Sequence, residues 1–280
     1  MTASLKQLLV HLDPSVAAAD RLALARQLAG QHGAAVAALY VTTPVFVDLP
    51  DAPAIAPTLG ASLIEIDNRR RDHTRKMFDE SLRASGAPAS WSETLEMPVI
   101  GAFAQQALHA DLLVVGQRDP ANALAAGVPP DFAELVMLAS GRPALVVPYI
   151  GCPSSVGETV AIAWKETREA ARAVAAAMPI LQRARQVHIL CWDQEEPPAV
   201  QGARLDLDGY LRLHGVEPTW HREGAEPDGL GEILLSRVYD LGADLLVMGC
   251  YGHSRAREWI LGGTSRSILA SMTVPVLMAH

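Results

Sequence analysis

The residues whose types and spacing could do chemistry gather near the end of the chain. An apolar run, Ala243 to Met248, leads into Gly249 and Gly252, and nine residues later come Gly262, Gly263, Thr264 and Ser265. Glycine admits positive φ and lets backbone N–H groups come close to a ligand. N–H groups converging at a helix N-terminus make a concave seat for an anion, helped by the helix dipole. Thr264 and Ser265 can cap such a helix or donate hydroxyls to a phosphate. A buried strand before the glycines and a helical pattern after them give the motif the context it needs. The spacing reads as a phosphate cradle set between a strand, ending at Met248, and a helix; a last apolar run, Val274 to Met278, follows.

Other chemistries find less support. Gly252-His253-Ser254-Arg255-Ala256 resembles the nucleophile elbow of α/β-hydrolases, with alanine for the last glycine. That elbow needs its serine directly after a strand, and an acid and a histidine later in the chain. Ser254 lies several residues past the strand, and only Glu258 and His280 follow it as acid and histidine, neither suitably placed. No Lys-Ser or Lys-Thr pair follows the glycines, so the loop is not the common NTPase P-loop. The nine histidines show no metal-ligand spacing. No base or Mg²⁺ site for phosphoryl transfer stands out, so the chain reads as a binding protein.

These residues need a scaffold, and the length supplies one. The chain has 280 residues, half of them hydrophobic, enough for two domains with separate cores. A net charge of −8 argues against nucleic acid as a partner. Three scattered cysteines, Cys152, Cys191 and Cys250, fit a reducing compartment. The start lacks the apolar core of a signal peptide and no run is long enough to span a membrane, so a cytoplasmic location is expected.

Strands and helices alternate twice. In the first half strands are expected at Lys6–Leu12, Ala34–Val41, Trp91–Leu95, Asp111–Gly116 and Ala144–Pro148. Helices are expected over Ser15–His32, Ala61–Ser85 and Ile100–His109. A Pro-rich loop or lid fills residues 42–59. The triplet Arg69-Arg70-Arg71, offset by Asp67 and Asp72, reads as a solvated face. The second half repeats the order, with strands at Thr159–Trp164, Val187–Trp192 and Pro218–His221 before the final two. Its helices are expected over Glu166–Gln182, Val200–His214 and Gly229–Leu241. Ala110-Asp111-Leu112-Leu113-Val114-Val115-Gly116 returns as Ala243-Asp244-Leu245-Leu246-Val247-Met248-Gly249, changed at one position. The expected fold is α/β: two tandem Rossmann-like domains, residues 1–150 and 157–280, each a parallel sheet flanked by helices.

The pattern Gly-x2-Gly-x9-Gly with small hydroxyl residues resembles the nucleotide loop of the universal stress protein family. The resemblance covers nearly the whole chain and implies five strands per domain, with ATP or another adenine nucleotide, and Mg²⁺ accompanying it, as ligand. It also implies that the fifth strand pairs between domains, giving a pseudo-dimer within one chain, with a homodimer left open. In an open α/β sheet the ligand crevice lies where strand order reverses. That places Ala163, Trp164 and Lys165 opposite Gly249 to Ser265, with Cys191 and Trp192 close to the base.

The two halves then differ. Members of the family that bind ATP carry a carboxylate at the end of the first strand. The first half keeps one, Asp13, but its loop reads Gly116-Gln117-Arg118-Asp119 and later Gly127-Val128-Pro129-Pro130-Asp131. Two prolines remove N–H donors and the two acids repel a polyphosphate, so this half is expected to hold no nucleotide. The second half keeps the loop but has Lys165 in place of the acid. An ammonium only donates; Lys165 either meets a ribose oxygen or phosphate, or is a solvated residue beside Glu166. Two functions follow. The C-terminal domain binds an adenine nucleotide through Ala163, Trp164, Lys165, Met248, Gly249, Gly252, Gly262, Gly263, Thr264 and Ser265, as a sensor or switch in stress response. Alternatively the chain is a nucleotide-free scaffold, or a binder of another small ligand, acting through unknown protein partners.

Overall fold

Apolar runs bounded by Asp, Pro and Gly fold as short parallel strands buried on both faces, which is why they read as continuous hydrophobic text. The computed structural model describes residues 4–45, 57–121, 127–192, 201–250 and 263–280. These divide into two compact units, Ser4–Cys152 and Pro153–His280.

The N-terminal unit runs β1 (Gln7–Leu12), α1 (Ala17–His32), β2 (Ala35–Tyr40), α2 (Pro57–Ser81), β3 (Ala89–Glu93), α3 (Val99–Ala107), β4 (Leu112–Gly116), α4 (Phe132–Ser140) and β5 (Ala144–Val147). Its strands pair in parallel in the order β3-β2-β1-β4-β5. The C-terminal unit runs β6 (Thr159–Ala163), α5 (Arg168–Leu181), β7 (Gln186–Cys191), α6 (Leu207–Leu213), β8 (Thr219–Arg222), α7 (Leu230–Asp240), β9 (Leu245–Gly249), α8 (Gly263–Ser271) and β10 (Val276–Ala279). Its order is β8-β7-β6-β9-β10, again parallel. Each unit is thus a five-stranded Rossmann-like sheet whose order reverses beside its first strand.

The repeated Ala-Asp-Leu-Leu text has a structural reason. Asp111 accepts hydrogen bonds from the N–H groups of Lys6 (2.7 Å) and Gln7 (3.0 Å), pinning the start of β1 to β4. Asp244 does the same for β6, accepting from the N–H groups of Gly157, Glu158 and Thr159 and from Ser155 Oγ. A buried arginine does similar work for α2. Arg26, 4% exposed, donates to the carbonyls of Ser81, Ala84, Gly86 and Ala87 at the close of that helix and the turn after it. Arg69 and Arg71 pair with Glu65 and Asp72 on a solvated face, as their spacing suggests, whereas Arg70 and its partner Asp67 are largely covered.

Several elements differ from expectation. α2 begins at Pro57, four residues early, because proline suits the first helical position. It ends at Ser81, where Arg26 takes its carbonyl. β3 is centred two residues before the expected Trp91–Leu95. α4 was not expected at all; it follows two prolines that mask a helical pattern at its start. α6 is half the expected length, since the Asp206 carboxylate caps it by accepting from Gly209 N at 2.7 Å. Most of the expected Pro-rich loop lies outside the described residues. Cys152, Cys191 and Cys250 form no disulfide, and no helix among the described residues is long and apolar enough to cross a membrane.

Candidate functional site

In a parallel sheet every strand-to-helix loop emerges at the same end, and the crevice opens where neighbouring loops turn to opposite faces. In the C-terminal unit that point lies between β6 and β9. A cleft of about 940 Å³, measured out to where it opens to solvent, sits there. Ala163, Trp164, Lys165, Met248, Gly249, Gly263, Thr264 and Ser265 all line it. Gly252 and Gly262 lie outside the described residues.

Local chemistry positions each of these. Trp164 N donates to Leu190 O at 2.9 Å, continuing the β6–β7 pairing by one step so that Lys165 emerges at the rim. Gly249 ends β9 directly against the first turn of α5; a Cβ built there would lie 2.5 Å from Ala170 N and 2.6 Å from Glu169 C. Only glycine lets the strand and helix meet so closely. Gly263 starts α8 with open space where a Cβ would be. Its N–H and those of the next residues belong to the first helical turn, which lacks intrahelical partners. Gly231 on α7 seats α8, since a Cβ there would come within 2.7 Å of Ser267 Cβ.

Apart from Trp192, the rest of the lining was not expected from the sequence. Leu190, Trp192, Leu230 and Leu234 make one wall apolar, while Thr167, Glu169 and Glu226 add polar groups. Trp192 was placed there by the strand order, but its neighbour Cys191 points elsewhere and donates its Sγ–H to His221 O at 3.7 Å. Glu226 lies in the loop before α7 and accepts from Lys165 Nζ at 2.8 Å; both side chains are about half exposed. The position vacated by the expected carboxylate therefore has a carboxylate beside it, delivered from another loop. The only signal for it was topological, since the β8–α7 loop emerges at this same end. Glu169 is buried, its side chain 3% exposed, and accepts from Arg168 Nε at 2.5 Å. Burial alone would raise its pKa, but the bonds from Arg168 and from its own backbone N–H outweigh it and lower the value.

The N-terminal unit fills the same corner with its own side chains. Strand register sets the equivalence: Leu8 pairs with Leu112 as Val160 pairs with Leu245. Counting on from there, His11, Asp13 and Arg21 correspond to Ala163, Lys165 and Ala173. Arg21, 2% exposed, donates Nε to His11 O at 2.7 Å and Nη2 to Asp13 Oδ2 at 2.9 Å. Asp13 also accepts from the N–H and hydroxyl of Ser15. Burial favours a neutral Asp13, yet Arg21, His11 and the Ser15 bonds prevail and hold its pKa at about 2. His11 is pushed down to about 4, chiefly by burial, with Asp13 pulling the other way. It packs against Phe103 and Phe132, with ring centroids 5.6 and 4.2 Å away, and these two rings touch each other at 5.3 Å. Registering β5 and β10 in the same way makes Asp131, Phe132 and Ala133 the counterparts of Gly263, Thr264 and Ser265. An acid, an aromatic ring and an alanine stand where the other unit has a glycine and two hydroxyls.

Comparison with known proteins agrees with this architecture. Residues 163–280 match the model of the universal stress protein family. The match covers the C-terminal unit from the end of β6 onward. Two solved structures are similar along nearly the full length. A universal stress protein from Archaeoglobus fulgidus DSM 4304 shares 17% identity at a TM-score of 0.68, over 98% of this chain and 95% of that one. A functionally unknown protein from Pseudomonas aeruginosa PAO1 shares 16% identity at a TM-score of 0.57, over 98% and 92%. At such identities the likeness concerns the fold of both units. No curated protein matches the chain. The family match begins at Ala163, the first of the residues that line the cleft.

Proposed function

We propose that the C-terminal unit binds an adenine nucleotide as a sensor or switch, and that the N-terminal unit holds none. The observation that carries this reading is the contrast between the two corners. In one, two alanines, a glycine with open space above it and the first turn of α8 face a cleft whose walls include Leu190, Trp192 and Leu230. A base and ribose fit the apolar wall, and a phosphate fits the N–H groups and hydroxyls of Gly263, Thr264 and Ser265. In the other, Arg21 bonds Asp13 and the His11 carbonyl while the His11 ring packs on Phe132, so these side chains face one another rather than a ligand. Mg²⁺, where it accompanies the nucleotide, rides on phosphate oxygens, because Glu169 and Glu226 are engaged by Arg168 and Lys165.

Thermal unfolding of the full chain with and without AMP, ADP and ATP tests this. A ligand at a hundredfold excess over Kd stabilises by about 2.7 kcal/mol, a visible rise in Tm. The rise should vanish in Gly263→Asp, which puts a carboxylate into the cradle as Asp131 does in the N-terminal unit. The absence of any rise with all three would favour the second reading, a nucleotide-free scaffold in stress response. That reading draws its support from the two carboxylates in the lining, which oppose an anionic guest.

A further inference from the structure

Glu169 is an anion built into the cleft. It occupies the second position of α5, whose first turn faces the cleft together with the first turn of α8. Two helix N-termini therefore offer two places for negative charge. At α8 the space over Gly263 is open. At α5 the place is taken, because Glu169 lines the cleft, and its side chain is 3% exposed and held by Arg168.

The fold does not require an acid there. The corresponding residue of the N-terminal unit is Ala17, which opens α1 at the same point over the same kind of strand end. Nor is Glu169 a surface ornament of the helix, since its Cβ lies 2.9 Å from where a Gly249 Cβ would stand. The carboxylate sits at the junction of β9 and α5, beside the glycine that opens the loop. The side chain that bonds it, Arg168, is 67% exposed, so solvent weakens the cation's field more than the buried anion's.

We infer that Glu169 sets the charge of the ligand, so that the cleft takes a nucleoside monophosphate in preference to the triphosphate. The inference rests on the nucleotide reading above and sharpens it. A monophosphate brings about two negative charges, which the α8 seat can meet, and each added phosphate brings roughly one more into a cleft that already contains a buried anion.

Calorimetric titration of the full chain with AMP and with ATP, in the absence of divalent metal, tests it on three proteins. The wild type should bind AMP about tenfold more tightly than ATP or better. Glu169→Gln keeps the shape and removes the charge, and should close that gap by about tenfold. Arg168→Met removes the compensating cation, leaves Glu169 in place and should widen the gap. It also decides the matter alone should Glu169→Gln fail to fold. Tighter binding of ATP than AMP by the wild type overturns the inference, as does an AMP-to-ATP ratio that neither substitution moves. Binding of neither nucleotide by the wild type is a different result: it overturns the nucleotide reading, and this inference with it.

Discussion

Arg21 donates to Asp13 at 2.9 Å directly over Gly116, where a Cβ would lie 2.0 Å from the guanidinium Nη1. The carboxylate that could have faced a ligand faces inward. Breaking a buried pair by removing one partner leaves an uncompensated charge, at about 3–5 kcal/mol. Arg21→Ala should therefore destabilise the N-terminal unit by about that much. Removing both charges, as Arg21→Ala with Asp13→Ala, should cost less than Arg21→Ala alone. Urea unfolding of the full chain, following the N-terminal transition, measures both.

The same cluster makes the N-terminal unit sensitive to acid. His11 titrates near 6.5 when unfolded and near 4 when folded, because burial disfavours its charge. Between those values the unfolded chain takes up a proton that the folded chain refuses, so stability falls as the pH drops through the window. Asp13 adds a lower window: its stabilisation is present above 3.8 and lost as pH falls towards about 2. A shift of one pKa unit corresponds to about 1.4 kcal/mol, so the loss by pH 4.5 should reach a few kcal/mol. His11→Ala should flatten the dependence between pH 7 and 5 and leave the fall below 4 that Asp13 causes. Unfolding midpoints at about pH 7.5, 5.5, 4.5 and 3 would show it.

What the sequence made legible was whatever rests on local pattern. The central strands are continuous apolar runs, and Leu112–Gly116 and Leu245–Gly249 fold as their text suggests. Gly249, Gly263, Thr264 and Ser265 drew notice because glycine and hydroxyl residues between a strand and a helix have few other uses. The plug in the N-terminal unit was not legible, since an arginine in an Ala- and Leu-rich helix reads as a solvated charge, although Arg21 shares the buried stripe of α1 with Ala18, Leu22 and Ala25. Only the fold brings its guanidinium beneath Gly116. Glu226 escaped for a related reason: it reaches Lys165 from sixty-one residues away in sequence. Loops that meet at one end of a sheet leave no mark of it in their own composition.

Gly116 and Gly249 hold equivalent positions but meet different neighbours, which gives a test of the two corners. Gly249→Ala drives a Cβ into the backbone of α5, which cannot yield without moving the helix. A loss of about 3 kcal/mol or more is expected, at the upper end for overpacking. Gly116→Ala meets the end of a side chain, Arg21, and should cost less although its salt bridge must shift. In the Arg21→Ala background that collision is gone. A double-mutant cycle on Gly116 and Arg21 should therefore show a coupling of about 1 kcal/mol or more.

Lys165 and Glu226 form a pair that stands at the cleft rim with both side chains about half exposed. Exposed pairs contribute about 0–1 kcal/mol, so neither Glu226→Ala nor Lys165→Ala should move the unfolding midpoint much. Their effects on ligand should instead be opposite. Glu226→Ala removes an anion from the lining and frees the Lys165 ammonium to donate to a ribose or phosphate oxygen, a charge-assisted bond. AMP should then bind a few-fold more tightly. Lys165→Ala leaves Glu226 as an unpaired acid at the rim, and AMP should bind more weakly by a similar factor. Raising the salt concentration should shrink both changes, since the pair is open to solvent. Titrations with AMP at low and high ionic strength would separate this from a packing effect, which salt leaves alone. Equal weakening by both substitutions would mean that the intact pair, rather than the free ammonium, meets the ligand.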